Sequence, residues 1–486
     1  MKVFIGNPWL PLACVLLAAG GWPGETFAQN PSNRDGKQEV FLTEIPSSKG
    51  NVILSRPTDH SILASVFSIE TTKAQVIYGR KGEAAKKRSA VFELAAGATK
   101  EILLESLISN TDYDYRVVNP ATGVLLFPDG ASGHFHTCRP PGASFSFTIQ
   151  ADSHLDGNCL PELYKICLAN ALADKPDFHV DLGDTFMTGK HPGRDSAALQ
   201  YAAQRYYFGL IGHSAPVFFV LGNHDGEEAK KPEARGADGL AVWSCLQRKH
   251  VLTNPEPDAF YSGNSEKHAH AGMLQNFYAW TWGDALFVVL DPYWSSRSTR
   301  GGKEPWNMTL GKTQYDWLSR TLRTSQAKHK FVLIHQLVGG LDKSGRGGTE
   351  AARLFEWGGE EFDGSNTFAA HRSGWEKPIH ALLKETKVDI VFHGHDHFYA
   401  KQELDGVIYQ LVPQPCQRNS RNDHAAEYGY TQGEFLPSSG HLRVRVSPDS
   451  VTVDYIRAAT ADTTRRDGIS NRDTSAAYTF GAAKSK

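Results

Sequence analysis

The stretch Val217-Phe-Phe-Val-Leu-Gly-Asn-His-Asp225 decides the fold class, because an unbroken apolar run passes directly into a polar cluster. An apolar run without alternation is typical of a strand that is covered on both faces. The cluster stands at the carboxyl end of that strand, which is the end where open α/β sheets hold their ligands. The stretch therefore predicts a buried sheet with a polar site at one edge.

Runs of the same kind recur along the chain and alternate with helical patterns. Further apolar runs lie at residues 145–149, 178–180, 286–290, 331–334 and 390–392, and helical periodicity is found at 160–173, 196–211 and 313–322. Two alternating runs, 442–446 and 451–455, predict a closing hairpin. This order predicts an α/β (α+β) domain over residues 143–460, in which layered β-sheets are flanked by helices.

A different pattern fills residues 39–138, which precede the linker Arg139-Pro-Pro-Gly142. Short runs that alternate apolar and polar residues, such as 61–67, predict a small all-β sandwich. The stretch Leu107-Ile-Ser-Asn-Thr-Asp-Tyr113 resembles the tyrosine corner of fibronectin type III domains, although Ser109 stands where those domains usually carry proline. The resemblance implies a fibronectin type III-like domain in which Tyr113 is structural.

The two ends of the chain differ in composition from the middle. Lys2, an apolar run over residues 9–19 and Thr26-Phe-Ala28 predict an export signal at 1–28, so we expect a secreted or periplasmic protein. That run is shorter than the roughly 20 apolar residues that span a bilayer, so no membrane span is expected, although a buried or anchoring helix is the alternative. Residues 461–486 are polar and without periodicity, and we expect a disordered tail there.

Charge and cysteine content argue against two classes of protein. The chain has 486 residues, with 51 Lys and Arg against 53 Asp and Glu. Because there is no excess of positive charge, we do not expect nucleic acid as a partner. Of the 6 cysteines, Cys14 lies in the export signal, and the rest are too few for a disulfide framework in a chain of this length. One pair is conceivable, but buried free thiols are the simpler interpretation of Cys138, Cys159, Cys167, Cys245 and Cys416. The oligomeric state is left open.

Polar clusters follow the apolar runs of the second domain in a fixed order. They are Asp152-Ser-His154, Gly183-Asp184, Gly222-Asn-His-Asp225, His335 and Gly394-His-Asp-His397. Each cluster alone is more often a turn or a surface pair, but the whole set offers carboxylate, amide and imidazole ligands that suit divalent or trivalent first-row metals. Two such ions, about 3.5 to 4 Å apart, can share a hydroxide and hold both oxygens of a phosphoryl displacement.

This set of motifs resembles the calcineurin-like metallophosphoesterase superfamily, whose pattern is Asp-x-His, Gly-Asp, Gly-Asn-His-Asp/Glu, a lone His and Gly-His-x-His. The resemblance covers roughly residues 145–415, and every position of the pattern is filled. It implies that one metal ion is held by Asp152, His154 and His397 and a second by Asn223, His335 and His395, with Asp184 bridging the two.

The resemblance also implies roles for His224 and Asp225. In the family that histidine stands beside the scissile phosphate, where a protonated imidazole can stabilise the transition-state charge or protonate the leaving oxygen. Asp225 is expected to orient the histidine and to raise its pKa, and a turn-capping role is the alternative.

Two departures from related enzymes narrow the expectation. The N-terminal sandwich and the run Gly394-His-Asp-His-Phe-Tyr399 look like purple acid phosphatases, but those enzymes have glycine at the position of His154 and a metal-binding tyrosine at that of Met187. We therefore expect two Mn, Fe or Zn ions and no purple colour. The segment Thr185-Phe-Met-Thr-Gly189 lacks the phosphate-binding arginine that protein serine/threonine phosphatases of the superfamily carry, which disfavours phosphoproteins as substrates.

Basic residues in a glycine-rich segment offer a substitute for that arginine. Lys343 and Arg346 lie in Gly339-Gly-Leu-Asp-Lys-Ser-Gly-Arg-Gly-Gly348, where exposed backbone can approach an anion, although a mobile loop is the simpler interpretation. An insertion at 226–283 is positioned to act as a lid. Its His268 and His270 are expected to be solvated, and its aromatic run at 277–282 to pack as core.

The sequence thus predicts an exported, metal-dependent phosphoesterase that acts on a small phosphate ester. Two alternatives are a catalytically silent binding or scaffold protein with this fold, and a dinuclear metal hydrolase of another bond such as an amide. The presence of every expected ligand argues against the silent protein. The substrate is not specified by the motifs.

Overall fold

The computed structural model of the chain describes residues 29–30, 39–127, 132–297, 304–419 and 424–481. The expected export signal at 1–28 lies outside these residues. Within the described ranges, no helix combines the length and the apolar character that a membrane span requires.

In its described part, the N-terminal region is built from short strands, without helices. They are β1 Gln29–Asn30, β2 Glu39–Val40, β3 Gly50–Ser55, β4 Ile62–Ser68, β5 Thr72–Arg80, β6 Lys87–Arg88, β7 Phe92–Leu94, β8 Thr99–Leu104, β9 Asp112–Val118, β10 Leu125–Phe127 and β11 Gly133–His136. Of the two larger sheets, one has the order β3-β4-β8, and the other has β10-β9-β5-β6, with β11 against β9 and β7 against β5, while β1 and β2 pair separately. Apolar residues from both sheets form one buried cluster, so the predicted all-β region is present.

Tyr113 has the structural role expected of it. Its side chain is buried, and its hydroxyl accepts a hydrogen bond of 2.8 Å from the backbone N–H of Ile108, five residues upstream. This bond ties the start of β9 to the preceding turn, as a tyrosine corner does. The assignment of residues 39–138 to a fibronectin type III-like domain stays a prediction.

The second region holds two larger sheets and a small hairpin. Its strands are β12 Phe145–Gln150, β13 Phe178–Asp181, β14 Val217–Phe219, β15 Ser262–Gly263, β16 Lys267–His268, β17 Gly272–Met273, β18 Tyr278–Trp282, β19 Ala285–Val289, β20 His329–Leu333, β21 Ile390–His393, β22 Tyr399–Leu404, β23 Val407–Leu411, β24 Glu434–Leu436, β25 Gly440–Val446, β26 Ser450–Arg457 and β27 Thr474–Gly481. The sheet orders are β14-β13-β12-β25-β26-β27 and β15-β18-β19-β20-β21-β23-β22-β24. The pairs β12–β13, β13–β14, β19–β20 and β20–β21 are parallel.

The two sheets pack face to face, which explains the unbroken apolar runs of their strands. In β19, Ala285, Phe287 and Val289 belong to the cluster between the sheets, whereas Leu286 and Val288 belong to a second cluster on the opposite face. Because successive side chains of a strand point to opposite faces, burial on both sides requires apolar residues at every position.

Helices cover the outer faces, as the predicted layers required. The α-helices are Pro161–Ala173, Arg194–Gly212, Leu240–Val251, Lys312–Thr324, Phe355–Gly358, Phe368–His371, Ile379–Glu385, His424–Glu427 and Ala461–Asp467, and short 3₁₀ helices lie at Thr188–Lys190, Pro232–Arg235, Pro305–Asn307 and Ala351–Arg353. The three helices predicted from periodicity are all present, with ends shifted by two residues at most. The fold class is therefore confirmed.

The expectation of a disordered tail from residue 461 is wrong for its described part. A capping box at Thr460 and Thr463 begins the helix Ala461–Asp467, and β27 pairs antiparallel with β26 along the edge of the sheet. The side chains of Ala476 and Tyr478 pack on the inter-sheet cluster. This polar segment is ordered because β26 offers it backbone hydrogen bonds, a long-range partner that hydrophobic periodicity does not reveal.

Candidate metal centre

Each predicted ligand lies in a short loop that follows a strand. Asp152 and His154 come after β12, Asp184 after β13 and Asn223 after β14, while His335 follows β20, and His395 and His397 follow β21. Since β12 to β14 and β19 to β21 are parallel sets, their carboxyl ends lie at one edge of each sheet. The face-to-face packing of the sheets brings the two edges together.

The loops hold their ligands in an unusual backbone conformation. The φ angles are 60° at Asp152, 45° at His154, 52° at Asp184, 79° at His395 and 66° at His397. Residues other than glycine rarely adopt this left-handed region, at a cost of order 1–3 kcal/mol each, and such strain clusters at functional sites. The conformation directs side chains from separate loops toward one point.

Six acidic and imidazole side chains form two groups that could each hold a metal ion. One group is Asp152, His154 and His397 and the other is Asp184, His335 and His395, and within each group the ligand atoms lie within 4.8 Å of one another. The groups adjoin. Nε2 of His335 lies 3.8 Å from Oδ1 of Asp152 and 3.4 Å from Oδ2 of Asp184, and Nε2 of His154 lies 3.7 and 3.9 Å from the same two oxygens.

The atoms that face this centre are buried without hydrogen-bond partners among the described residues. They are Oδ1 of Asp152, Nε2 of His154, Oδ1 of Asn223, Nε2 of His335 and Nδ1 of His395. A buried polar atom without a partner costs about 1–3 kcal/mol, so several of them converging on one point would be strongly unfavourable without a bound ion. The donor set of two carboxylates, an amide oxygen and imidazoles fits two first-row metal ions.

Hydrogen bonds on the far side of each ring orient the imidazoles. Nδ1 of His335 lies 2.8 Å from the carbonyl oxygen of Leu182, and Nε2 of His395 lies 2.9 Å from that of Ser344. Each bond leaves the other ring nitrogen free to face the centre, which is how proteins fix the tautomer of metal-binding histidines.

The centre has the electrostatics of a cation site. Burial works to raise the pKa of Asp152, but His335 and His154 nearby hold it well below its usual value. Burial likewise works to lower the pKa of His335, but Asp184 and Asp152 raise it to about 9. The carboxylates are therefore ionised and retain a proton on an adjacent imidazole, a proton that a metal ion would have to displace.

Asp225 does not orient His224 in the way the sequence suggested. Its carboxylate accepts four backbone N–H groups, from Asp184 at 3.0 Å, Thr185 at 2.9 Å, Phe186 at 2.8 Å and Gly222 at 2.7 Å. It therefore joins the loops after β13 and β14, which is the alternative, loop-stabilising role. Burial and the charge of Asp184 raise the pKa of Asp225 to about 7.

His224 remains positioned at the centre. Its backbone N–H donates to Oδ1 of Asp184 at 2.7 Å, and its side chain lines the cavity above the two ligand groups. Burial lowers the pKa of its imidazole to about 3, against the opposing charge of Asp184. The ring is thus neutral in this state.

The cavity has a volume of about 250 Å³, and its wall combines the metal-ligand groups with residues from distant parts of the chain. Arg346 lines it as predicted, whereas Lys343 is exposed and is not part of the described wall. Sequence reasoning missed Glu39 and Lys190, which no motif marks. Gln414 and Gln417 also line the cavity.

None of the residues of the insertion at 226–283 belongs to the described wall of this cavity, so its role as a lid stays a prediction. Its end forms β18 within the larger sheet, and Phe277, Tyr278, Trp280 and Trp282 are buried as expected. His270 is exposed and His268 is partly exposed. The five described cysteines are free and buried, as the simpler interpretation held.

Comparison with known proteins agrees with this geometry. A family model described as calcineurin-like phosphoesterase matches residues 145–399. The structure of PhoD is similar, with a TM-score of 0.62 and 15 % identity over 90 % of this chain and 92 % of that chain. So is purple acid phosphatase PPD1 from yellow lupin (Lupinus luteus) seeds, with a TM-score of 0.55 and 15 % identity over 88 % and 74 %. At such identity these likenesses show a shared fold alone. Among curated proteins, none matches the sequence.

Proposed function

The chain belongs to the calcineurin-like phosphoesterase family, and from this premise we propose that it is an exported hydrolase of phosphate esters that works with two metal ions. The ester is a small molecule, and the ions are Mn, Fe or Zn. The alternatives are a silent scaffold protein and a hydrolase of another bond.

We assign the ligands in two sets that share one residue. Asp152, His154 and His397 would hold the first ion, Asn223, His335 and His395 would hold the second, and Asp184 would be a ligand of both. The observation that carries the proposal is the set of buried, unpartnered ligand atoms, which includes Oδ1 of Asn223. Two ions bound there would supply Lewis-acid activation of water and of the phosphoryl oxygens.

The remaining chemistry belongs to His224. Its ring lines the cavity beside Asp184, where it can contact a phosphoryl oxygen or the leaving oxygen. A bound phosphate dianion would raise the pKa of this imidazole from its low value and favour the protonated form that donates a proton.

The test is hydrolysis of aryl phosphate monoester and diester reporters by metal-stripped protein that is refilled with Mn, Fe or Zn. We expect activity that requires metal and that falls by at least about 100-fold in His224→Ala, the usual scale for a general acid or base, and in Asp184→Asn. His270→Ala, which changes an exposed histidine outside the cavity, should keep full activity. Stoichiometric metal with no turnover of either ester would instead favour the scaffold or the other hydrolase.

A further inference from the structure

Glu39 and Lys190 form an ion pair in the wall of the metal cavity. Nζ of Lys190 lies 3.5 and 3.4 Å from the two carboxylate oxygens of Glu39, and both side chains line the cavity together with His224 and both ligand groups. The side chain of Lys190 is 30 % exposed and that of Glu39 is 25 % exposed, so a molecule that enters the cavity can reach the pair.

The backbone places Lys190 next to the loops that carry Asp184 and His224. Lys190 ends the 3₁₀ helix Thr188–Lys190, which follows the loop of Asp184, and its N–H donates to the carbonyl of Met187 at 2.9 Å. The N–H of Gly189 donates to the carbonyl of His224 at 3.0 Å. Lys190 therefore lies in a segment that is hydrogen-bonded to the loop of His224.

Glu39 lies in the segment 39–42, which is bound to the loop after β12. Phe41 forms a β-bridge with Asp156, and the N–H of Leu42 donates to the carbonyl of Leu155 at 2.7 Å. The ring of Phe41 is stacked on His191, with 4.1 Å between centroids. These contacts at Phe41 and Leu42 hold the segment in place with the carboxylate of Glu39 beside Lys190.

The other basic residue of the wall is more heavily engaged. The guanidinium of Arg346 lies 3.9 Å from the ring centroid of Tyr428, and it approaches carboxylates of Asp342 at 3.6 Å and Asp396 at 3.8 Å. Among the described residues, Lys190 has one carboxylate partner, held at the far limit of hydrogen bonding. Its ammonium group is thus the more readily redirected of the two.

We propose that Lys190 binds the phosphate group of the substrate and that Glu39 is its counter-charge in the empty site. The inference rests on the proposed function. When phosphate enters, the ammonium group turns from a partly exposed carboxylate, a contact worth little, to a phosphate dianion inside the cavity. Glu39 therefore lowers the affinity for phosphate, whereas Lys190 raises it.

The opposite effects of Glu39 and Lys190 on phosphate affinity distinguish the proposal from a purely structural role of the ion pair. If the pair only secured the N-terminal segment, Glu39→Gln and Lys190→Met would loosen it alike, and neither would tighten phosphate binding. If Lys190 is the phosphate ligand, the two substitutions act in opposite directions. A gain in affinity, moreover, is not a result that misfolding produces.

The experiment measures binding of inorganic phosphate to the full chain by calorimetry. The protein is loaded with whichever metal supports ester hydrolysis, or with Zn if none does. We expect Lys190→Met to raise the Kd by at least about tenfold, Lys190→Arg to restore most of the affinity, and Glu39→Gln to lower the Kd by about two- to fivefold. The double variant should resemble Lys190→Met. Lys312→Met, which breaks an exposed ion pair with Asp316, is the matched control and should leave the Kd unchanged.

The readouts keep the two proposals apart. Absence of ester turnover in the wild-type protein would overturn the proposed function, while the Kd values still judge the role of Lys190. An unchanged Kd in Lys190→Met, a raised Kd in Glu39→Gln, or no phosphate binding by the metal-loaded wild type would each overturn the inference.

Discussion

Oδ2 of Asp156 lies 3.1 Å from Nδ1 of His154, on the side of the ring away from the nitrogen that faces the metal centre. The carboxylate fixes the tautomer of the imidazole and increases its basicity. Asp156 also lines the cavity, and its pKa is lowered to about 2, because His154 outweighs the effect of burial. The ligand set therefore depends on a residue that no motif includes.

Asp156→Asn should weaken metal binding by about 10- to 100-fold, because the negative charge is lost and the amide nitrogen that then faces Nδ1 of His154 favours the tautomer whose Nε2 carries a proton toward the centre. The oxygen that accepts the N–H of Asn158 can be retained, so the turn should survive. Metal affinity measured by competition with a chelator is the readout, and Asp316→Asn, at an exposed position of the helix Lys312–Thr324, is the control. Unchanged affinity would show that His154 needs no such partner.

Gly222→Ala should disrupt the centre. An added Cβ would lie 2.1 Å from the backbone nitrogen of Asp184 and 2.3 Å from its Oδ1 atom. Relief of that overlap must push apart the loops after β13 and β14, at a cost of about 1–3 kcal/mol and with loss of metal. Thermal unfolding and metal content report both effects. In Gly236→Ala, where the new atom makes ordinary contact with Glu233, both should stay near wild type.

Asp225→Asn should destabilise the metal-free protein by about 3 kcal/mol. Each carboxylate oxygen accepts two backbone N–H groups, so an amide nitrogen in either place leaves buried donors facing a donor. Urea unfolding of stripped protein measures the loss. His224→Ala should unfold at nearly the wild-type concentration of urea. If both variants unfold at the same concentration of urea, Asp225 acts as a partner of His224 instead of stabilising the loops.

Metal affinity should rise with pH up to about 9. In the metal-free protein the pKa of His335 is raised to about 9, so an ion must displace its proton, which costs up to about tenfold in affinity per pH unit below that value. The stability of the metal-free fold changes with pH in the opposite direction. The proton stabilises the metal-free fold below about pH 6.5, the pKa of unfolded histidine, and this contribution is lost as pH rises to 9. Chelator competition between pH 6.5 and 9 tests the first statement, and a flat profile would contradict it.

Sequence alone identified the parts of this protein that are encoded locally. The strand and helix assignments of the second region held because period-two and helical patterns need only neighbouring residues. The candidate metal ligands could be proposed because their clusters follow strands in an order that resembles a family motif, and parallel strands that share an edge bring such positions together. These inferences needed no knowledge of how distant segments meet.

The tertiary structure decided what depends on pairing across long distances. Glu39 lies 151 residues from Lys190 in the chain, and β27 is ordered by β26 in a segment whose composition suggested disorder. The role of Asp225 depends on four N–H groups from two loops, and the end of the insertion supplies a strand of the larger sheet. Such contacts arise from the packing of whole elements, so the residues that make them carry no local pattern, and only the folded chain shows which charges and donors face one another.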